Sequence, residues 1–180
     1  MQEVSIRPAG TGDAAVIATI YNGAIAGRQA TFETQPRTEQ DVLQWLKGRG
    51  PVLVADHEKT VAGFARVSAY SDREVYAGVG EYGIYVDPSA HGGGVGTRLL
   101  DALVEAAERA GYHKLTSKLF TSNAASLALA RRCGFREVGI HRNHARLDGE
   151  WRDVLVVERL LGNAAGRQPT RMKQPARVAK

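Results

Sequence analysis

A chain of 180 residues that is 43% hydrophobic holds enough apolar material for one sizeable core, and no break in composition marks a second domain. The net charge of +5 comes from the end of the chain: Arg167, Arg171, Lys173, Arg177 and Lys180 follow Gly162 with no acid among them, and the 19 basic residues before them balance 19 acids. A formally neutral body argues against a nucleic-acid partner, the single Cys133 excludes an intramolecular disulfide, and no apolar run approaches the length of a membrane span.

The polar start Met1-Gln2-Glu3 lacks the basic-then-apolar order of a signal peptide, so a reducing cytoplasm is the expected setting. Residues 1–162 are expected to form one domain, and 163–180, rich in Pro, Gln, Gly and Ala, a disordered tail. In chain order, the alternating Val4-Ser5-Ile6-Arg7-Pro8 predicts a first strand. Asp13 then caps a helix with the stripe Val16, Ile17, Ile20 and Ile25, broken at Gly27. Thr38 and Asp41 form a capping box for a short amphipathic helix through Val42, Leu43, Trp45 and Leu46.

Pro51 to Ala55 and Val61 to Val67 are apolar runs separated by Asp56-His57-Glu58-Lys59, which predicts a hairpin. A polar loop around Ser71-Asp72-Arg73 leads to a strand over Glu81 to Val86. From Val95, the residues Leu99, Leu100, Leu103, Val104 and Ala107 recur at helical spacing until Gly111. Lys114 to Phe120 is a strand and Ala124 to Cys133 a helix; two last strands cover roughly Val138 to Arg146 and Trp151 to Leu161, joined at Asp148-Gly149. The order βααβββαβαββ mixes hairpins with crossover helices, which implies an α/β fold with a mixed sheet covered on both faces.

Residues 81 to 97 concentrate the chemistry. Glu81 stands on an apolar strand that runs into Gly92, Gly93, Gly94 and Gly96 at the start of a helix, so an acid-base group faces a backbone able to turn its N–H groups toward an anion. Spacing excludes two phosphate loops: Thr97 stands where a dinucleotide loop needs glycine, and no Gly-Lys-Ser/Thr is present. The run His91-Gly92-Gly93-Gly94-Val95-Gly96 resembles the Gln/Arg-x-x-Gly-x-Gly/Ala pyrophosphate loop of the GNAT superfamily of acyl-CoA-dependent N-acyltransferases, with His91 departing at the first position. The order of elements over residues 3 to 161 resembles the same fold.

That resemblance implies acetyl-CoA as cosubstrate, its pyrophosphate on Gly92, Gly93, Gly94, Val95, Gly96 and Thr97, and its pantetheine on main-chain groups of Ile84, Tyr85 and Val86 where the strand splays from its neighbour. It also implies that Asn123 bonds the pantetheine and that Ser126 approaches the phosphates, while the residues themselves allow Asn123 to act only as a helix cap. Glu81 is the candidate base for the substrate ammonium. The tyrosine that donates a proton to the leaving thiolate in many members is replaced by Ala130, so no general acid is assigned.

A narrower resemblance comes from Arg73-Glu74-Val75-Tyr76 before Glu81, Thr31-Phe32-Glu33-Thr34, and Gly149-Glu150-Trp151-Arg152-Asp153-Val154. These are similar to the branch that acetylates phosphinothricin, arsinothricin and methionine sulfoximine, glutamate analogues with a free α-amine. The resemblance implies a small amino-acid-analogue substrate, a detoxifying resistance role, and a homodimer. Guanidinium suits paired bonds to such anions, so Arg73 with Tyr76 is the expected clamp. Phe32 and Thr34 are expected to line the pocket, with packing of its own loop as the other reading of Phe32. Acetylation of a protein N-terminus or another small amine, and a non-catalytic acyl-CoA-binding module, remain the alternatives. His141 and His144, three apart in an extended segment, are expected on opposite faces, and no metal site is expected. Cys133 reads as a small buried side chain.

Overall fold

The computed structural model describes residues 4–57 and 60–166. Its main elements are β1 (Val4–Pro8), α1 (Ala14–Gly27), α2 (Glu39–Leu46), β2 (Val52–His57), β3 (Thr60–Ala69), β4 (Val79–Val86), α3 (Val95–Arg109), β5 (Lys114–Phe120), α4 (Ala124–Arg132), β6 (Arg136–Leu147) and β7 (Glu150–Leu160). This is the order read from the sequence. Among the described residues the strands form one mixed sheet, β1-β2-β3-β4-β5-β7-β6. The expected tail falls mostly on residues outside those described. No described helix is long and apolar enough to cross a membrane.

Alternation along the strands sends side chains to two cores. On one face Leu99, Leu100 and Leu103 of α3 pack with Tyr82, Leu115 and Val157 of the sheet and Ala130 of α4. On the other, Ile17 and Tyr21 of α1 and Val42 of α2 enclose Val54 and Phe64, with Trp45 and Tyr85 packed against them. The capping box of α2 forms as expected, the Thr38 hydroxyl accepting from the Asp41 N–H at 3.2 Å while the Asp41 carboxylate accepts from the Thr38 N–H at 2.7 Å. Asp148 and Gly149 take φ of 50° and 84°, the left-handed pair that matches a two-residue hairpin to strand twist.

Three details differ from the sequence expectation. Asp13 does not cap α1 with its side chain: a short turn, Thr11–Asp13, precedes the helix, and the carboxylate accepts from the Gly10 N–H at 2.7 Å and from both terminal nitrogens of Arg7. The β2–β3 hairpin is tighter, because Asp56 and His57 continue the strand after a register shift at Ala55/Asp56. Glu81 lies inside β4, preceded by Val79 and Gly80.

That last position matters. β4 pairs in parallel with β5 only through Val79–Lys114, Gly80–Leu115 and Glu81–Thr116. Beyond it β4 stays with β3 as far as Val86, while β5 stays with β7 as far as Phe120. Each strand follows its outer neighbour, and the sheet forks immediately after Glu81.

Candidate active site

Main-chain direction alternates along an antiparallel pair, so one bond fixes the phase of β4. The Asp87 N–H donates to the Ala62 carbonyl at 2.8 Å, which turns the main-chain groups of Tyr85 and Gly83 toward β3 as well. Those of Ile84 and Val86 therefore face the fork. The expectation for Tyr85 needs correction: its backbone is taken up by pairing with Phe64, and its ring packs 4.7 Å from Tyr21. Burial, and then Tyr21 beside it, raises the Tyr85 phenol far above its ordinary range, so the hydroxyl stays protonated. The Val86 carbonyl meets Nε2 of His91 at 3.0 Å. The residue that departs from the family's loop pattern thus contacts the strand expected to hold pantetheine.

The glycine run, expected to cradle a pyrophosphate, forms an open turn at the head of α3. Gly92 and Gly94 have φ of 83° and 76°, a region that disfavours side chains, and a Cβ at either would meet nothing within 4 Å. Glycine is needed there for the turn, and the space above the loop is open. α3 begins at once with Val95, whose buried side chain anchors the helix N-terminus. Arg132 of α4 places Nη1 3.5 Å from the Thr97 hydroxyl, a cation beside the cradle that the sequence reading did not single out. An open backbone turn, a helix N-terminus, a nearby guanidinium, and the main-chain groups of Ile84 with the N–H of Val86 fit the phosphates and pantetheine of acetyl-CoA. Asn123 does cap α4, accepting from the Ser126 N–H at 3.0 Å, while its Nδ2 donates to the Gln29 carbonyl at 2.9 Å and ties down the segment after α1.

The fork opens into a cavity of about 740 Å³ whose lining includes Ser126 and Phe32. Glu81 sits in its wall, with Oε1 2.9 Å from Nζ of Lys118. Arg66, opposite Gly83 in the β3–β4 register, lies half-buried with its guanidinium 4.1 Å from the Trp45 ring. Burial lowers its affinity for a proton, and no acid pairs with it among the described residues. Arg37 also lines the cavity, paired with Glu33 at 2.6 Å.

Other expectations are not met within this chain. Arg73 and Tyr76 belong to an exposed turn outside the cavity, where Tyr76 packs on Tyr70 at 5.7 Å. Arg73 is bonded through its main chain, its N–H donating to the Ser71 hydroxyl and its carbonyl accepting from the Tyr76 N–H, while its side chain has no hydrogen-bond or ion-pair partner among the described residues. The spacing placed them just before β4, but the path of the connecting loop decides where they point. Thr34 is exposed and outside the lining, whereas Phe32 combines both readings, lining the cavity and packing edge-on against Phe120 at 4.6 Å. Arg66 and Lys118, like Arg37 and Arg132, were not singled out from the sequence. The signal was present as a single cation in an apolar strand run for Arg66 and as an interior lysine of β5 for Lys118.

The rings of His141 and His144 lie 5.0 Å apart, contrary to the expectation of opposite faces. An irregularity between His141 and Ala145, with Asn143 at φ 48°, breaks the alternation. No group of three or more metal-ligating side chains occurs among the described residues. Cys133 is buried, and burial pushes its thiol up to about 12, which makes it inert. Ala130 is buried in the α3 face core and offers no proton.

The Acetyltransferase (GNAT) family matches residues 18–135. The L-methionine sulfoximine/L-methionine sulfone acetyltransferase of Pseudomonas aeruginosa is 33% identical over 159 residues, covering 86% of this chain and 92% of its own. A ribosomal-protein-alanine N-acetyltransferase from Brucella melitensis superposes with a TM-score of 0.83 at 34% identity, over 87% of this chain and 99% of its own. A GNAT superfamily phosphinothricin acetyltransferase from Sinorhizobium meliloti, solved with acetyl-CoA, superposes with a TM-score of 0.84 at 29% identity over 93% of each chain. With the forked sheet and the glycine cradle already in place, these matches show that the chain belongs to the GNAT acetyltransferase family and transfers acetyl groups from acetyl-CoA.

Proposed function

We propose that the enzyme acetylates the α-amine of a small anionic amino acid of the phosphinothricin, arsinothricin or methionine sulfoximine type, and so detoxifies it. The observation that carries this reading is the cavity at the fork, whose lining holds the carboxylates Glu33 and Glu81 and the cations Arg37, Arg66 and Lys118. Arg37 is paired to Glu33 and Lys118 to Glu81, so that Arg66 is the cation without an acidic partner among the described residues. A glutamate analogue presents an ammonium for Glu81 and two polar or anionic groups for the cations. Arg66, partly desolvated and without an acidic partner among the described residues, replaces Arg73 as the clamp for the distal group.

In this mechanism the cradle and the fork hold acetyl-CoA so that its thioester meets the substrate amine. Glu81 takes the ammonium proton, directly or through one water, and releases the nitrogen lone pair. The amine attacks the thioester carbonyl to form the new C–N bond, and collapse of that adduct breaks the C–S bond while the surplus proton on its nitrogen passes to the departing thiolate, so no dedicated acid is needed. N–H groups of Ile84 and Val86, aimed into the fork, take the charge that develops on the carbonyl oxygen. A homodimer belongs to the reading and draws support from Val138, Ile140 and Trp151, each about half exposed on β6 and β7.

Acetylation of a protein N-terminus is the second reading, suggested by the name of the Brucella relative. The lining favours the amino acid, because a peptide backbone carries no anion for Arg66, which has no acidic partner among the described residues. Release of CoA thiol decides between them when acetyl-CoA is offered with phosphinothricin, arsinothricin, methionine sulfoximine or an alanyl peptide. Turnover of the amino acids at kcat/KM at least about tenfold above the peptide is expected. A preference for the peptide would remove the proposal.

A further inference from the structure

We infer that the Glu81–Lys118 ion pair is the receptor for the substrate's α-amino-acid zwitterion, and that binding occurs by exchange of this pair for the substrate's own charges. The inference rests on the amino-acid reading above and names what distinguishes a free amino acid from any other amine.

Nζ of Lys118 lies 2.9 Å from Oε1 of Glu81, and both side chains line the cavity. The pair spans the fork: Glu81 is the last β4 residue paired with β5, opposite Thr116, and Lys118 follows two residues beyond, where the strands have parted. Their side chains are 33% and 35% exposed, so a ligand can reach both, and neither side chain has a second charged partner among the described residues. An ion pair this open is weak and easily exchanged. Lysine is also the suitable cation for an exchangeable site, a point charge on a flexible four-carbon stem.

An α-amino acid carries an ammonium and a carboxylate on one carbon, the complement of this pair in charge and spacing. On exchange, the ammonium meets Glu81 and the carboxylate meets Lys118. The lysine then withdraws from Glu81, which leaves the carboxylate free to accept the ammonium proton. Recognition of the α-carboxylate and release of the base are therefore one event. Arg66 remains for the distal anionic group. A peptide N-terminus, with a neutral amide in place of the carboxylate, gains nothing from Lys118 and leaves Glu81 paired.

The test compares kcat/KM for phosphinothricin and methionine sulfoximine, each as the free acid and as the α-carboxamide, in the wild type, Lys118→Met and Lys118→Arg. The wild type should prefer the free acid by about 30-fold or more. Lys118→Met should collapse that ratio toward one, chiefly through the KM for the free acid, and Lys118→Arg should retain most of it. Thermal melts of both variants confirm that they fold. A ratio unchanged in Lys118→Met overturns the inference, including the case in which both substrates slow equally because Lys118 only positions Glu81. Wild-type turnover of an alanyl peptide with no amino acid acetylated overturns the amino-acid reading and this inference together, whereas amino-acid turnover with no preference for the free acid overturns this inference alone.

Discussion

Glu81 draws its importance from position rather than from its immediate sequence. A carboxylate on a strand is ordinarily solvated; here it is the last residue before the sheet parts, next to the gap proposed to receive the thioester and against Lys118. Glu81→Gln keeps the shape and removes the base. The expected result is a fall in kcat of about 100-fold with the KM for acetyl-CoA little changed, since the cradle lies on another segment. An unchanged kcat would take Glu81 out of the mechanism. Its identity as a candidate was legible because the glycine run stood eleven residues downstream. The opposite outcome for Arg73 shows the limit of such reasoning: adjacency in sequence brought it near β4, but an exposed turn carries its side chain away from the cavity.

At the level of elements, the glycine loop and α3 act as one unit. Gly94 is the residue before the first helical position and has φ of 76°, so its conformation aims the first N–H groups of α3 into open space. Gly94→Ala introduces strain of about 1 kcal/mol without a steric clash, because no atom lies within reach of the new Cβ. The affinity for acetyl-CoA should fall about five- to tenfold, read by calorimetry, while the KM for the amino acid stays nearly constant. A loss confined to the amino acid would mean that the loop serves the acceptor. The cradle was readable from spacing alone, since glycine at particular positions is itself the conformational requirement. The β4–β5 fork was legible only as something the family resemblance implied, because no local propensity records where two strands cease to pair.

For the molecule as a whole, ion pairs tie neighbouring strands of the sheet together. Arg7 of β1 holds Asp13 and also pairs with Asp56 of β2, and Glu158 of β7 meets Lys114 of β5 and Arg136 of β6. Hydrogen bonds from Arg7 hold the Asp13 carboxyl below its ordinary range. Burial works against the charge on Glu158, but Lys114 and Arg136 prevail and hold its carboxyl low too. A folded-state value below the unfolded one means stability that is fully present above the unfolded value and lost as pH falls through the folded one. Chemical denaturation should therefore show a loss of stability below about pH 4. Glu158→Gln should cost about 1–3 kcal/mol at pH 7 and flatten that decline. An acid dependence identical to the wild type would mean that Glu158 does not contribute to it.

The sequence by itself determined the order of elements, the glycine cradle, the capping box of α2, the Asp148-Gly149 hairpin and the candidacy of Glu81, since each depends on residue type and spacing within a short stretch. Only the tertiary structure decided which main-chain groups face the fork, which cation pairs with Glu81, and that Arg73 and Thr34 stand outside its cavity. Those outcomes depend on strand register and loop direction, which are fixed when segments from opposite ends of the chain compete to bury the same surface. Lys118 and Glu81 are 37 residues apart in sequence, and nothing local to either predicts the 2.9 Å contact that makes them one site.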